Sequence, residues 1–323
     1  MLISVVLSFR NEAENIAELV ARLDAMFAAQ QIDYELLWVN DASTDASLEI
    51  LRREHARNPR VKVINLSRRF GVSEGVRAGM AAAAGDAVIY MDADLQDPPE
   101  VIPQMIERWK AGADVVHTVR SRRHGENPLK ISLTRVAYRL IHVGSSIALP
   151  VDAGDFKLLS RRAMAHLLAL DESDPYLRGL AVWIGFNQAY VQYERNPRHA
   201  GRTHFPFFSR NPWKTFTLGL TSFSFMPVYV CVAVAAVGLI VSVVLLAWGV
   251  GAAAIGAASA PLFLFAVATF FWATTIGAIA IVGVYIIRIY KDVRRRPQYI
   301  VESTIQTPPA RERTAPEREP LGP

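Results

Sequence analysis

The sequence predicts an α/β fold, a doubly wound, mostly parallel sheet, followed by two transmembrane helices. Three observations predict it. Short apolar runs alternate with helical periods through the first 120 residues, acidic residues gather where several of those runs end, and about 73 residues from Thr215 to Ile287 include no Asp, Glu, Lys or Arg. Strand and helix alternating at this pitch build a parallel sheet whose ligands bind outside the carboxyl ends of the strands.

The first strand is predicted over 3–9, an apolar run too short for a signal peptide and lacking a basic leader. Residues 12–29 follow as a helix, with Ile16, Leu19, Val20, Leu23 and Phe27 at helical spacing. Strands at 34–39, 61–66, 87–91 and 114–119 then alternate with helices at 46–55, 73–84 and 98–110. Beyond this the pattern is mixed up to 212, the expected end of the globular domain. Residues 127–149 form a basic amphipathic helix that lies either on a lipid surface or on the domain itself. At 205–214 aromatics and cations mix as interfacial anchors do.

The chain of 323 residues carries a formal net charge of +5, is 51% hydrophobic and has a positive mean hydropathy. That excess is concentrated in the uncharged stretch, which is long enough for two spans of about 20 to 25 residues. They are placed at 225–250 and 262–287, joined by an external loop at 251–261. Arg198, Arg202, Arg210 and Lys214 precede them, and Arg288, Lys291, Arg294, Arg295 and Arg296 follow. The positive-inside rule therefore puts both termini and the globular domain on the cytoplasmic face of the inner membrane. Cys231, the one cysteine, lies within the first span, so no disulfide or cysteine metal site forms within the chain. Residues 288–323 read as a basic and then disordered tail, proline-rich after Val301.

Chemistry concentrates after the fourth strand, in Met91-Asp92-Ala93-Asp94-Leu95-Gln96-Asp97-Pro98-Pro99-Glu100. Asp92 and Asp94, with Gln96 from the turn, offer an all-oxygen set suited to Mg²⁺ or Mn²⁺, cations that complete their shell with phosphate oxygens. Asp97 before two prolines reads instead as a helix N-cap. Two further polar clusters fall on the same edge: Arg10-Asn11-Glu12 after strand one and Asn40-Asp41 after strand two. Asp41 is assigned to a ligand and Thr44 or Asp45 to capping, although Asp41-Ala42-Ser43-Thr44-Asp45 also has the composition of a plain turn.

Taken in order, these segments resemble the family 2 glycosyltransferases of the polyprenyl-phosphate type, such as dolichol-phosphate mannose synthase and bacterial undecaprenyl-phosphate sugar transferases. The resemblance runs from Ser4 to about Met226. It is carried by Ser4-Val5-Val6 through Asn11-Glu12, Val39 to Asp45, Leu66 to Gly71, Asp92 to Glu100, Gly154-Asp155-Phe156-Lys157-Leu158-Leu159, Arg178-Gly179-Leu180 and Trp183-Ile184-Gly185-Phe186. Ser8, Arg10 and Arg69 depart from the usual family residues, as does the segment from Arg198 to Thr203.

The resemblance implies a GT-A fold, a nucleotide-sugar donor contacted by Glu12, Asp41 and Asp92, a divalent metal, a polyprenyl phosphate acceptor and a homo-oligomer at the membrane. It singles out Asp94 as a direct metal ligand and marks Asp155 as an active-site residue. Arg120, Arg135 and Arg202 are expected to grip phosphate, because guanidinium binds it in a two-point fork. No nucleic acid partner is expected. Two rival readings are a processive polysaccharide synthase and a non-catalytic, membrane-tethered nucleotide-binding scaffold. Against the first, Gln104 to Trp109 has one residue too many for the Gln-x-x-Arg-Trp acceptor motif.

Overall fold

The computed structural model describes residues 1–123, 153–195, 226–255 and 260–306. The expected helix at 127–149, Arg135, Arg202, the segment 205–214 and the tail from 307 lie outside the described residues. The chain divides into two compact units, one built on Met1–Glu100 and rejoined from Tyr299, the other on the residues between. In the first unit β1 (Leu2–Phe9), α1 (Ala13–Gln30), β2 (Asp33–Asn40), α2 (Ser47–Arg57), β3 (Val61–Leu66), α3 (Val72–Ala82) and β4 (Ala87–Asp92) succeed one another. The second holds α4 (Ile102–Lys110), β5 (Val115–Arg123), β6 (Ala153–Ser160), α5 (Arg161–Ala169), α6 (Leu177–Trp183), β7 (Gln188–Arg195), α7 (Met226–Ala254) and α8 (Ala260–Arg294). The chain then returns to the first unit as β8 (Val301–Ile305).

The first unit's sheet runs β4-β1-β2-β3-β8. β1 lies parallel to both β2 and β4, and β3 continues the parallel order beyond β2. Ile3 to Phe9 are buried throughout, as expected of a parallel strand covered on both faces. α3 approaches closely because it presents glycine: a β-carbon on Gly75 would fall 2.2 Å from Ser8 Oγ. The strand order reverses between β1 and β4, where Ser8 is in register with Asp92. In a doubly wound sheet this switch point is where a ligand crevice opens.

Two expectations need correction here. The tail is not disordered over 301–305, because β8 pairs antiparallel with β3 and covers an edge that would otherwise be open. The helix expected over 98–110 also starts late. Successive prolines remove N–H donors and push the residues before them out of the helical region. Pro99–Val101 accordingly form a 3-10 turn, and α4 begins at Ile102 with Val101 as N-cap. Asp97 is therefore not that helix's cap; it is fully buried ahead of the turn.

In the second unit β5 pairs parallel with β7 and antiparallel with β6. Ser160 caps α5 by accepting the Ala163 N–H, and its hydroxyl donates to Asp114 at 2.8 Å. α7 and α8 are both long and apolar enough to cross a membrane. They pack against one another, with Trp248 edge-on to Phe263 at 5.2 Å. At 35 residues α8 measures about 52 Å, longer than the roughly 30 Å hydrocarbon layer. Its charged end is bonded to the loop before α6: Asp292 accepts the Ser173 N–H at 2.9 Å, and Lys291 meets Asp174 at 2.5 Å.

Candidate active site

Three non-glycine residues on the carboxyl edge of the first sheet hold left-handed backbones: Asn11 (φ 56°) after β1, Ala42 (φ 54°) after β2 and Leu95 (φ 60°) after β4. Such conformations are costly for residues with a side chain, and persist only where the surroundings over-determine them. The surroundings are visible. The Asn11 N–H donates to Ser43 Oγ at 3.0 Å, while Asn11 Oδ1 accepts the Thr44 N–H at 2.8 Å. Next to it, the Glu12 N–H donates to Ser47 Oγ, and Glu12 Oε2 accepts from Asn15 Nδ2 at 2.6 Å.

Asp45 joins two helix starts, taking the Ala13 N–H on one oxygen and the Ser47 N–H on the other. Burial raises the Asp45 carboxyl, but the Ser47 and Ala13 donors outweigh it and hold it below the usual range. The N-cap expected at Thr44 or Asp45 is instead Ala46, and Asp45, one residue before it, serves the helix start by accepting the Ser47 N–H. Asp41, expected to face a ligand, is buried and accepts the Phe70 N–H at 2.6 Å and the Gly71 N–H at 3.1 Å. It anchors the turn into α3; a carboxylate offers about four acceptor positions, and two are used here.

After β4 the chain turns on Asp94. Its Oδ1 accepts the Gln96 N–H at 3.2 Å across the left-handed Leu95. Asp94 is buried, whereas Asp92 and Gln96 are half-buried. No cluster of three or more His, Cys, Asp or Glu suited to a metal occurs among the described residues. The donor set is two carboxylates and an amide. That chemistry fits a hard cation that draws the rest of its shell from phosphate and water.

The second unit brings together a different constellation. Asp155 on β6 accepts Arg178 Nε at 2.7 Å on one oxygen and Arg178 Nη2 on the other. Its surroundings raise the Asp155 carboxyl, but the Arg178 guanidinium, then Lys157 and Arg120, hold it well below the usual carboxylate range. Arg120 Nε donates to the Tyr193 hydroxyl at 3.2 Å, and its guanidinium lies over Gly154. Lys157 is fully buried and donates to the Gly154 carbonyl.

His117, fully buried beside these cations, is pushed down to about 3 by burial and by the charge on Lys157. Gln188 Nε2 donates to the Val182 and Gly185 carbonyls, which leaves its Oε1 to accept from His117 Nε2 at 3.0 Å. The imidazole is thus neutral with its proton on Nε2. Sequence reasoning gave Arg178 and Lys157 no role, although both stand in quoted motifs. Arg178 lies 23 residues beyond Asp155, so only the fold reveals the pair.

Comparison with known proteins completes the description. The chain belongs to glycosyl transferase family 2, whose model matches residues 4–168. It is a family 2 glycosyltransferase with a mixed α/β sheet. An uncharacterized glycosyltransferase of Bacillus subtilis, YkcC, is 37% identical over 307 residues, 93% of each chain. A prophage-derived bactoprenol glucosyl transferase of Shigella flexneri is 33% identical over 94% of this chain and 98% of its own. A prophage bactoprenol glucosyl transferase homolog of Escherichia coli is 32% identical over 94% and 99%.

Proposed function

We propose that the protein transfers one sugar, with inversion and with a divalent cation, from a UDP- or GDP-sugar to a polyprenyl phosphate at the cytoplasmic membrane face. The observation that carries this reading is the position of Asp92, in register with Ser8 at the end of β1, and of Asp94 in the turn just beyond it, at the switch point of a family 2 sheet. The bactoprenol glucosyl transferases, similar over 94% of this chain, support the choice of acceptor.

Asp92, Asp94 and Gln96 would hold Mg²⁺ or Mn²⁺, which when bound offsets the charge growing on the donor diphosphate. Glu12 and the loop that begins at Asp41 would receive the nucleotide. A phosphate oxygen of the acceptor attacks the anomeric carbon from the face opposite the diphosphate. The bond from that carbon to the diphosphate oxygen breaks, its electron pair departs with the nucleoside diphosphate, and the configuration inverts.

A phosphate monoester with a second pKa near 6 is already ionised at neutral pH, so the nucleophile needs no base. The neutral, enclosed His117 is not required to serve as one. Asp155, kept ionised by Arg178, would accept hydroxyl hydrogen bonds from the donor sugar. Arg120, together with Arg135 and Arg202, would grip the acceptor phosphate.

Membrane sidedness finds support in the sheet. Leu66 of β3 pairs with Val301 of β8, so the intervening chain must cross a membrane an even number of times. α7 and α8, each long and apolar enough to cross, would supply two crossings, and the cations from Arg288 to Arg296 favour the cytoplasmic side.

The test incubates full-length protein in detergent with polyprenyl phosphate, Mg²⁺ or Mn²⁺ and a panel of UDP- and GDP-sugars, then weighs the lipid product. One added sugar, lost on chelation, is expected. A growing polymer, or no product across the panel, would overturn the reading.

A further inference from the structure

The last strand reaches the nucleotide edge through a line of side chains. Ser303 of β8 is in register with Asn65 of β3, and Asn65 with Asn40 of β2. Asn65 Nδ2 donates to Ser303 Oγ at 3.0 Å, Asn40 Nδ2 donates to Asn65 Oδ1 at 3.1 Å, and Asn40 Oδ1 accepts the Ser43 N–H at 2.9 Å. The direction of this line is set at one end. A backbone N–H can only donate, so Asn40 turns its oxygen to Ser43 and its NH₂ to Asn65; Asn65 must then offer its own NH₂ to Ser303.

Asn40 and Asn65 are each 5% exposed, so their bond to one another is shielded from water, while Ser303 at the outer end of the line is exposed. The line ends one residue after left-handed Ala42, in the loop that also locks Asn11 through Ser43 Oγ and the Thr44 N–H. On the opposite side of the same turn, Asp41 fixes the entry to α3. The loop is therefore held from three directions, and one of them is a strand that follows both apolar helices.

We propose that β8 is a positioning element of the donor site: Ser303, acting through Asn65 and Asn40, sets the backbone of the 41–45 loop on which nucleotide binding depends. The proposal rests on reading that loop as nucleotide-facing. Ser303 acts through other residues, so its removal weakens donor binding while leaving the chemical step nearly unchanged. It follows that the globular domain cannot be cut at 212 without losing part of its donor site.

The test uses full-length protein in detergent, with UDP and GDP titrated calorimetrically in the presence of Mn²⁺. Hydrogen exchange over 41–45 is followed in parallel. Ser303→Ala should raise the nucleotide Kd about three- to tenfold, the scale of one partly buried hydrogen bond. Donor KM should rise with it at near-constant kcat, and the Ser43 amide should exchange faster. Ser303→Thr, which keeps the acceptor oxygen, should restore all three, whereas Glu302→Ala should change none.

Asn65→Ala should weaken binding at least as much as Ser303→Ala, and the double variant should be no worse than Asn65→Ala alone. Wild-type binding beside unchanged Kd and exchange in Ser303→Ala overturns the proposal while the donor reading stands; additive effects in the double variant also overturn it. Failure of the unsubstituted protein to bind either nucleotide overturns the donor reading, and this role for β8 with it.

Discussion

Arg120 lies against the bare backbone of Gly154: a β-carbon there would come within 3.0 Å of Nη2 and 3.4 Å of Cζ. The tight neighbour is the end of a long side chain, so Gly154→Ala leaves the fold intact and moves the guanidinium instead. With Arg120 assigned to the acceptor phosphate, kcat/KM for polyprenyl phosphate should fall roughly tenfold, since misplacing a phosphate-binding group costs rate rather than stability. Acceptor titrations beside thermal melts check this. An unchanged acceptor dependence removes Arg120 from the phosphate site.

Asp94→Asn separates charge from hydrogen bonding. The amide oxygen still accepts the Gln96 N–H, so the turn through Leu95 survives and the melting temperature should stay close to wild type. The cation loses a carboxylate, and transfer should drop at least about 100-fold. Mn²⁺ binding followed by electron paramagnetic resonance provides a second readout. Near-normal rates and Mn²⁺ affinity would sink the metal assignment.

His117 makes stability depend on pH from one side. Its folded value is lowered to about 3 from an ordinary 6.5, so between these values the unfolded chain binds a proton that the folded one refuses. Its contribution is complete above about pH 6.5 and declines as the pH falls towards 3, by at most about 1.4 kcal/mol per pH unit. Melts of wild type and His117→Gln should therefore converge as the pH drops from 6.5 to 4. Parallel curves would show that folding does not depress His117.

The Asp155 and Arg178 pair titrates lower. Its carboxyl is depressed, so its contribution is complete above the ordinary aspartate value near 3.8 and is lost only as the pH falls through the folded one. The stability gap between wild type and Asp155→Asn should stay flat from pH 8 to 5 and shrink only below about pH 4. Arg178→Lys keeps the charge but loses the two-point fork, and should slow transfer about tenfold, with Arg178→Ala slower still. Equal rates in the two variants would show that charge alone matters.

The legible parts of this protein were those written in periodicity. The four parallel strands of the first sheet, their helices and both long apolar helices follow from runs and spacings along the chain. The turn after β4 stood out for where it falls: two carboxylates one residue apart are common by chance, but these end a strand on an edge that gathers two further polar clusters. What escaped had partners far along the chain. β8 is five residues long, carries a charge at Glu302 and precedes a proline-rich tail, so only the alternation of Val301, Ser303 and Ile305 hinted at a strand. The anchoring bonds of Asp41 escaped too, because nothing local shows that Phe70 and Gly71 return to it. Arg178 was invisible for the same reason: its partner is set by how β6 and α6 pack, not by spacing.

The pairing of β3 with β8 also imposes an order of assembly. During synthesis β3 emerges early, and its partner follows 235 residues later, after both apolar helices have left the ribosome. At typical elongation rates that interval is on the order of tens of seconds. Throughout it, β3 presents an unsatisfied edge able to pair with another chain. Both apolar helices thus emerge while the sheet is unfinished, and its edge is closed only when the last strand pairs with β3.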